Sequence, residues 1–273
     1  VLPSFRDQLQ IGIEPGQITL ARIGKGIRRR VLEKHIEVYD SHETEPWIAA
    51  FSALKKLLEK QRGAEAIIVL SNQFVRYVVV PWNDAVSNDE EVAAIAHHRF
   101  NQVYGDQASN REVRVSQSAF GAPMLACSME RGLLAGLRIV CQEVGVHLTV
   151  IQPALMSVFN HWCDQVKEES SWFCIIEPGK LLIALYFQGG WHAIQNRHLA
   201  GSTVDDLIAV LDRERLLADV ADTPQRVFLF SSMHSSYPSK FGNWSITTMK
   251  PSAIEGFSPD SAPPFCLALS GNK

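Results

Sequence analysis

A short turn occurs twice in this chain. Ile13-Glu14-Pro15-Gly16 closes one apolar run and Ile176-Glu177-Pro178-Gly179 closes another, with Glu14 and Glu177 lying 163 positions apart. Proline presets φ at the first turn position and glycine accepts a positive φ at the second, so each copy predicts a tight hairpin. A second strand-like run follows each turn and ends in glycines, Gly24 and Gly26 in one copy, Gly189 and Gly190 in the other. One chain that repeats strand, turn and strand over such a distance has duplicated a whole folding unit.

The elements around the turns repeat as well. Ile11–Ile13, Ile18–Ile23 and Val31–Tyr39 read as three strands. Glu43–Gln61 reads as a helix, with Trp47, Ile48, Phe51, Leu54, Leu57 and Leu58 at helical spacing, and Ala66–Leu70 as a strand covered on both faces. From Trp172 the same βββαβ order returns, through Trp172–Ile176, Leu181–Phe187, Trp191–Asn196, a helix Ser202–Leu217 and the run Val227–Phe230. The repeat is too long for a solenoid, so two lobes facing each other are expected.

Between the blocks lie a strand Val75–Pro81 and a helix capped by Ser87 with Glu90 three residues on. A hairpin of Val113–Phe120 and Met124–Met129 follows, then a helix Arg131–Val144, a strand Val146–Ile151 and a helix from Ala154 to about Lys167. The expected division is a first lobe at 1–168 containing an inserted small α/β subdomain at about 75–150, and a second lobe at 169–273. The second lobe ends in a strand Trp244–Thr247 and a helix near Pro264–Leu269.

Composition removes several function classes. A net charge of −3 with no strongly basic domain-sized stretch argues against nucleic acid as a partner. Five cysteines, scattered without CxxC spacing, read as reduced core thiols rather than as a disulfide framework or a zinc site. The longest apolar run, Leu181–Phe187, is far short of the ~20 residues that cross a bilayer. Val1–Gln10 carries Pro3, Arg6 and Asp7 where a signal peptide needs an apolar segment, so a cytoplasmic chain is expected. No GxSxG elbow or cysteine-protease context is present, and His97 and His98 are adjacent on a helix and cannot jointly hold a metal.

The duplicated βββαβ unit, with a Gly turn after each first strand, resembles the actin, sugar kinase and heat-shock chaperone superfamily. The passage Glu130–Phe159, helix, strand and helix, looks like the approach to the second lobe in the actin-like proteins of type IV pilus assembly (PilM-like). The proteins of MSHA pilus biogenesis and the cytoplasmic part of the type II secretion protein GspL are similar too. The fold class this implies is α/β, with duplicated ribonuclease-H-like (actin-like ATPase) lobes and an inserted subdomain. The implied role is a cytoplasmic scaffold, peripheral to the inner membrane. Its implied partner is an inner-membrane pilus or secretion assembly protein, which offers a short cytoplasmic segment to a groove; a homodimer stays open.

In active members of the resembled superfamily each turn is like Asp-x-Gly followed by Ser or Thr, and the first is followed by a lysine. Backbone N–H groups, hydroxyls and lysine then hold phosphate oxygens, and the Asp positions magnesium. The first loop here has Glu14 and Gly16 with no lysine, Arg22 being the nearest cation. The second has Glu177, Gly179 and Lys180 with no hydroxyl after the glycine, and Ser231 and Ser232 stand where an adenosine-binding turn shows paired glycines. Each proline also removes a backbone donor. These residues read as remnants of a nucleotide site, with no catalytic residue and no metal ligand. The alternative is an active Mg-ATP-binding ATPase or phosphotransferase using Glu14, Glu177 and Lys180 around ATP and magnesium.

Two stretches are candidates for a partner contact. Lys25, Arg28, Arg29 and Arg30 form the strongest basic cluster, suited to anionic headgroups or an acidic segment. Trp82, between Pro81 and Asn83-Asp84, is expected in a loop at a protein contact.

Overall fold

The computed structural model describes residues 7–271 except 25, 27, 42–46, 87, 106–109, 117, 168–169, 200–202, 219, 221 and 234–235. The start of the N-terminal segment, Lys25, the cap at Ser87, the junction at 168–169, the helix start at Ser202 and His234 therefore lie outside the described residues.

The first sheet takes β1 (Gln8–Glu14), β2 (Gln17–Ile23), β3 (Val31–Val38), β4 (Glu65–Leu70) and, from further along the chain, the strand His147–Pro153, in the order 3-2-1-4 and then that strand. β1, β2 and β3 are antiparallel, whereas β4 runs parallel to β1. The crossover between β3 and β4 carries α1 (Trp47–Leu58), which buries Ala50, Ala53, Leu54 and Leu58. Ile48, expected on the inner face, is instead half exposed.

The inserted segment has β5 (Val75–Val80), α2 (Asp89–Tyr104), β6 (Arg111–Val115) and β7 (Met124–Glu130), with sheet order 5-7-6. Its core is Val78, Val80, Ala96, Phe100 and Ala126. The cap of α2 is Asn88, whose side chain accepts from the Glu91 N–H at 2.9 Å. After it come α3 (Arg131–Val144), β8 (His147–Pro153) and α4 (Ala154–Lys167). β8 pairs parallel to β4 and α3 packs on α1, so neither belongs to the small sheet. The subdomain expected at 75–150 thus ends with β7, because periodicity finds a strand without saying which sheet it joins.

The second sheet has β9 (Ser171–Glu177), β10 (Lys180–Phe187), β11 (Gly190–His198), β12 (Arg226–Ser231), β13 (Lys240–Phe241) and β14 (Trp244–Met249), in the order 11-10-9-12-14-13. α5 (Val204–Leu217) crosses from β11 to β12, and the β9–β12 pairing is parallel. The duplication reaches single hydrogen bonds. Ser71 N–H donates to Ile13 O at 2.9 Å and Ser232 N–H to Ile176 O at 3.1 Å; Tyr39 N–H donates to Gly16 O at 3.0 Å and Leu199 N–H to Gly179 O at 3.3 Å.

By compactness the chain divides into Val1–Phe74 with Glu130–His161 and Lys250–Lys273, and Val75–Met129 with Trp162–Met249. This differs from the linear division at 1–168 and 169–273. The C-terminal segment returns to the first unit: Glu255 O accepts from Val31 N–H at 2.8 Å, Leu267 packs with Val69 and Ala154, and the Ser157 and Ser270 hydroxyls meet at 2.7 Å. The helix expected near Pro264–Leu269 is a 3-10 turn, Pro263–Phe265, followed by further turns.

In the first unit, a Cβ on Gly136 of α3 would fall 2.2 Å from the Phe51 ring of α1. Gly136→Ala gains up to ~1 kcal/mol of helix propensity but must displace that ring, an overpacking cost of ~1–3 kcal/mol. Denaturant unfolding should show net destabilisation of about 1–2 kcal/mol. Gly132→Ala on the same helix, with nothing within 4 Å, should be neutral or slightly stabilising.

Candidate functional site

In the first hairpin, Glu14 pairs with Gln17 across a two-residue Pro15-Gly16 loop, and Gly16 has φ 82°. Such a turn suits Pro at its first position and needs a residue without a Cβ at its second. Glu14 is only 7% exposed. Tyr39 lies over the turn, its hydroxyl donating to Glu14 O at 2.6 Å while its own N–H holds Gly16 O. Burial, with a smaller contribution from the Glu14 charge, pushes the Tyr39 phenol up to about 12. Arg22 is eight positions from Glu14 and occupied elsewhere, bonded to Asp7 at 2.6 Å and Glu33 at 3.2 Å.

The second hairpin has the same form, with Glu177 paired to Lys180 and Gly179 at φ 69°. Glu177 is 2% exposed, whereas Lys180 is exposed. Burial drives the phenol of Tyr77, on β5 of the same unit, well up, and the charges of Cys127 and Glu177 add to the shift. The Glu177 carboxylate is thus felt in the interior.

Ser231 and Ser232 follow β12 at the same sheet end as this hairpin, because Ser231 is in register with Ile176. The Ser231 hydroxyl accepts from Met233 N–H at 3.1 Å and lies 3.2 Å from Met233 O, which closes a local turn. Of the seven nucleotide-site candidates, the second unit thus gathers Glu177, Gly179, Lys180, Ser231 and Ser232, while Glu14 and Gly16 belong to the first.

Among the partner candidates, Arg28, Arg29 and Arg30 are exposed beside β3, and Arg29 donates to Gln8 at 3.3 Å. Trp82 lies in the loop after β5, its indole N–H donating to Asp84 at 2.7 Å and its ring meeting Phe120 edge-on at 4.8 Å between centroids. It lines a cavity of about 240 Å³ with Val80, Val86, Val92, Ile95 and Met124. Phe120 is absent from the residues expected to carry function. A lone aromatic in a Gly-Ala-Pro turn is a legible signal, since such turns are normally polar.

No protein-family model matches the sequence, and no curated protein matches it. Solved structures do match. The cytoplasmic domain of EpsL, an inner membrane component of the type II secretion system of Vibrio cholerae, aligns with 98% of this chain and 96% of its own at 7% identity and a TM-score of 0.60. A PilM–PilN type IV pilus biogenesis complex aligns over 98% of each chain at 13% identity and a TM-score of 0.64. A Bacteroides thetaiotaomicron protein of unknown function with an actin-like ATPase fold aligns over 84% of this chain and 82% of its own, at 9% identity and a TM-score of 0.53. The fold is actin-like.

The described residues of this actin-like chain hold no group of three His, Cys, Asp or Glu side chains placed for a metal. His161 and Asp164 with Cys163 form no such set; Cys163 lies 3.5 Å from the Asp164 carboxylate. No helix among the described residues is long and apolar enough to cross a membrane.

Burial raises the thiols of Cys127, Cys141 and Cys266 to about 11 from an ordinary 9, and that of Cys174 further. Only Cys163 is partly exposed. A disulfide reagent at pH 8 should therefore modify one thiol per folded chain quickly, a reaction removed by Cys163→Ser, and the other four only on unfolding. The buried thiols keep their protons until about pH 11 when folded but lose them near 9 when unfolded. Stability should accordingly be intact below pH 9 and decline as pH rises to 11, as read by denaturant midpoints.

Proposed function

We propose that this chain is a non-catalytic actin-like scaffold, cytoplasmic and peripheral to the inner membrane, in a pilus-biogenesis or type II secretion assembly. Its partner is an inner-membrane protein that presents a short cytoplasmic segment. The observation that carries the non-catalytic reading is the burial of both turn carboxylates, Glu14 and Glu177, within hairpins whose glycine carbonyls are already taken by Tyr39 and Leu199. A phosphate loop offers unpaired N–H groups and hydroxyls to an anion. Each of these loops has a proline where a donor would be, and the Ser231 hydroxyl is engaged with Met233.

The assembly reading rests on the actin-like likeness to EpsL and to the PilM–PilN complex over nearly the whole chain. The exposed Lys180 is the one feature that favours the rival Mg-ATP enzyme.

Isothermal titration with ATP and magnesium separates the two. A scaffold gives no saturable heat up to ~1 mM nucleotide, and no rise in melting temperature. A ligand at 100 times its Kd would add about 2.7 kcal/mol of stability, a shift of several degrees. Micromolar affinity that is lost in Lys180→Ala would establish the enzyme instead.

A further inference from the structure

The third strand of each duplicated unit is a sheet edge, β3 in the first sheet and β11 in the second. The two edges begin alike. Val31 N–H of β3 donates to Glu255 O at 2.8 Å and Trp191 N–H of β11 to Pro123 O at 3.3 Å, so a distant carbonyl takes the first outward N–H of each. Beyond that point they differ. The exposed residues of β11 are Gln195, Asn196 and His198, whereas β3 exposes Leu32, Lys34, His35, Ile36 and Val38, with Val38 74% exposed. The fold itself therefore asks for no apolar edge; the first sheet has one of its own.

On β3 the same residues present backbone and side chain to that edge. Tyr39 N–H points inward, to Gly16 O at 3.0 Å, and alternate residues of an antiparallel strand turn their backbone groups to opposite neighbours. Counting back, Val38, Ile36 and Lys34 turn outward, where no described strand pairs with them. Their side chains lie on the face opposite Glu33 and Glu37, which are engaged from the α1 side, Glu37 by Lys56 at 2.6 Å and Glu33 by Gln61 at 3.3 Å. Edge strands are normally guarded by a bulge or a lysine. Here the bulge sits at the start of the strand, where Ile23 pairs with Val31 and Arg22 with Glu33, and Lys34 is drawn over the Phe265 ring at 5.8 Å. The stretch from Glu33 to Val38 is left regular and open.

The charges along the strand choose its occupant. In a two-fold antiparallel joint between two copies, the central residue meets itself and its neighbours meet in reverse order. Centring on Glu33 or Glu37 opposes two glutamates, centring on Lys34 opposes two lysines, and centring on His35 sets Glu33 against Glu37 on both sides. Centring on Ile36 brings no like charges together: Ile36 meets Ile36, Lys34 meets Val38 and His35 meets Glu37. Lys34, Ile36 and Val38 are also the outward residues, so this register pairs their backbone groups directly.

We propose that β3 pairs antiparallel with β3 of a second copy of this chain, about a two-fold axis at Ile36, joining two first sheets into one. The joint covers Ile36 and Val38 and satisfies the open backbone groups of both edges. It does not depend on the scaffold reading. A joint of this length is small beside the ~1,600 Å² of a standard interface, so the dimer should form at about 10–100 μM.

Sedimentation equilibrium of the full chain from about 1 to 300 μM should show a monomer–dimer equilibrium, weakened ~10-fold or more by Val38→Lys, which sets lysine against Lys34 at an exposed position. The register is read by cross-linking in a Cys163→Ser background. Ile36→Cys should give a disulfide-linked dimer on mild oxidation, because directly opposite Cα atoms ~5.5 Å apart lie within the span of a disulfide. Lys34→Cys and Val38→Cys, each roughly 14 Å from its own copy, should not cross-link alone but should do so when mixed.

A chain that stays monomeric at about 300 μM overturns the proposal and leaves the edge to a strand of another protein. A dimer untouched by Val38→Lys, or one in which Ile36→Cys fails to cross-link, overturns it as well. Cross-linking of Lys34→Cys alone would place the axis elsewhere and overturn the register.

Discussion

The parallel seam between the first and fourth strands of each sheet is what the remaining structure is built around. Between β1 and β4, and again between β9 and β12, nearly every residue is buried, and β4, β9 and β12 read as apolar runs while β1 carries Gln10 inside the sheet. A parallel pair needs a crossover, which α1 and α5 provide, while the antiparallel neighbours need only the Pro-Gly turns. At its upper end each seam is closed by one hydrogen bond, from Ser71 to Ile13 in the first sheet and from Ser232 to Ile176 in the second. The hairpin and the turn after the fourth strand are thereby fixed side by side.

Buried carboxylates at both hairpins then bear on function. Taking a charged carboxylate out of water costs several kcal/mol unless hydrogen bonds or counter-charges replace the solvent. Glu14 and Glu177 are among the most buried acidic side chains described, together with Glu214, whose partner Arg197 lies at 2.7 Å. A magnesium-linked carboxylate has to present itself to a hydrated ion. Both side chains are buried, Glu14 at 7% and Glu177 at 2% exposure. The hairpins therefore act as structural corners of the sheets, each closed by its Pro-Gly turn.

Much of the architecture was readable before any coordinate. The Pro-Gly turns, α3 at Arg131–Val144, α4 at Ala154–Lys167 and the βββαβ order follow from turn chemistry and apolar period, both local properties. What was illegible is non-local. No pattern in 250–271 says that Leu267 will meet Val69 and Ala154, or that Glu255 will bond Val31, and the two-residue strand β13 is too short for any periodicity. The candidate site divides in the same way. Glu14 and Glu177 are placed by their turns, but their burial is a tertiary property that the turn does not disclose. Phe120 is flagged by its place beside a Gly-Ala-Pro turn, but the extent of its exposure is a tertiary property.

The inserted segment is set apart from both parallel seams. Its core of five buried side chains is small and separate from the seam, so side chains on its outer rim can vary without disturbing either parallel pair. Its anchor is backbone: Trp191 N–H at the start of β11 holds Pro123, and Gly190 gives the hairpin room to approach. A groove on that rim is lined by Val80, Trp82, Val86, Val92, Ile95 and Met124, with Phe120 exposed beside it. The part of the chain that the duplication does not include is thus packed around its own small core.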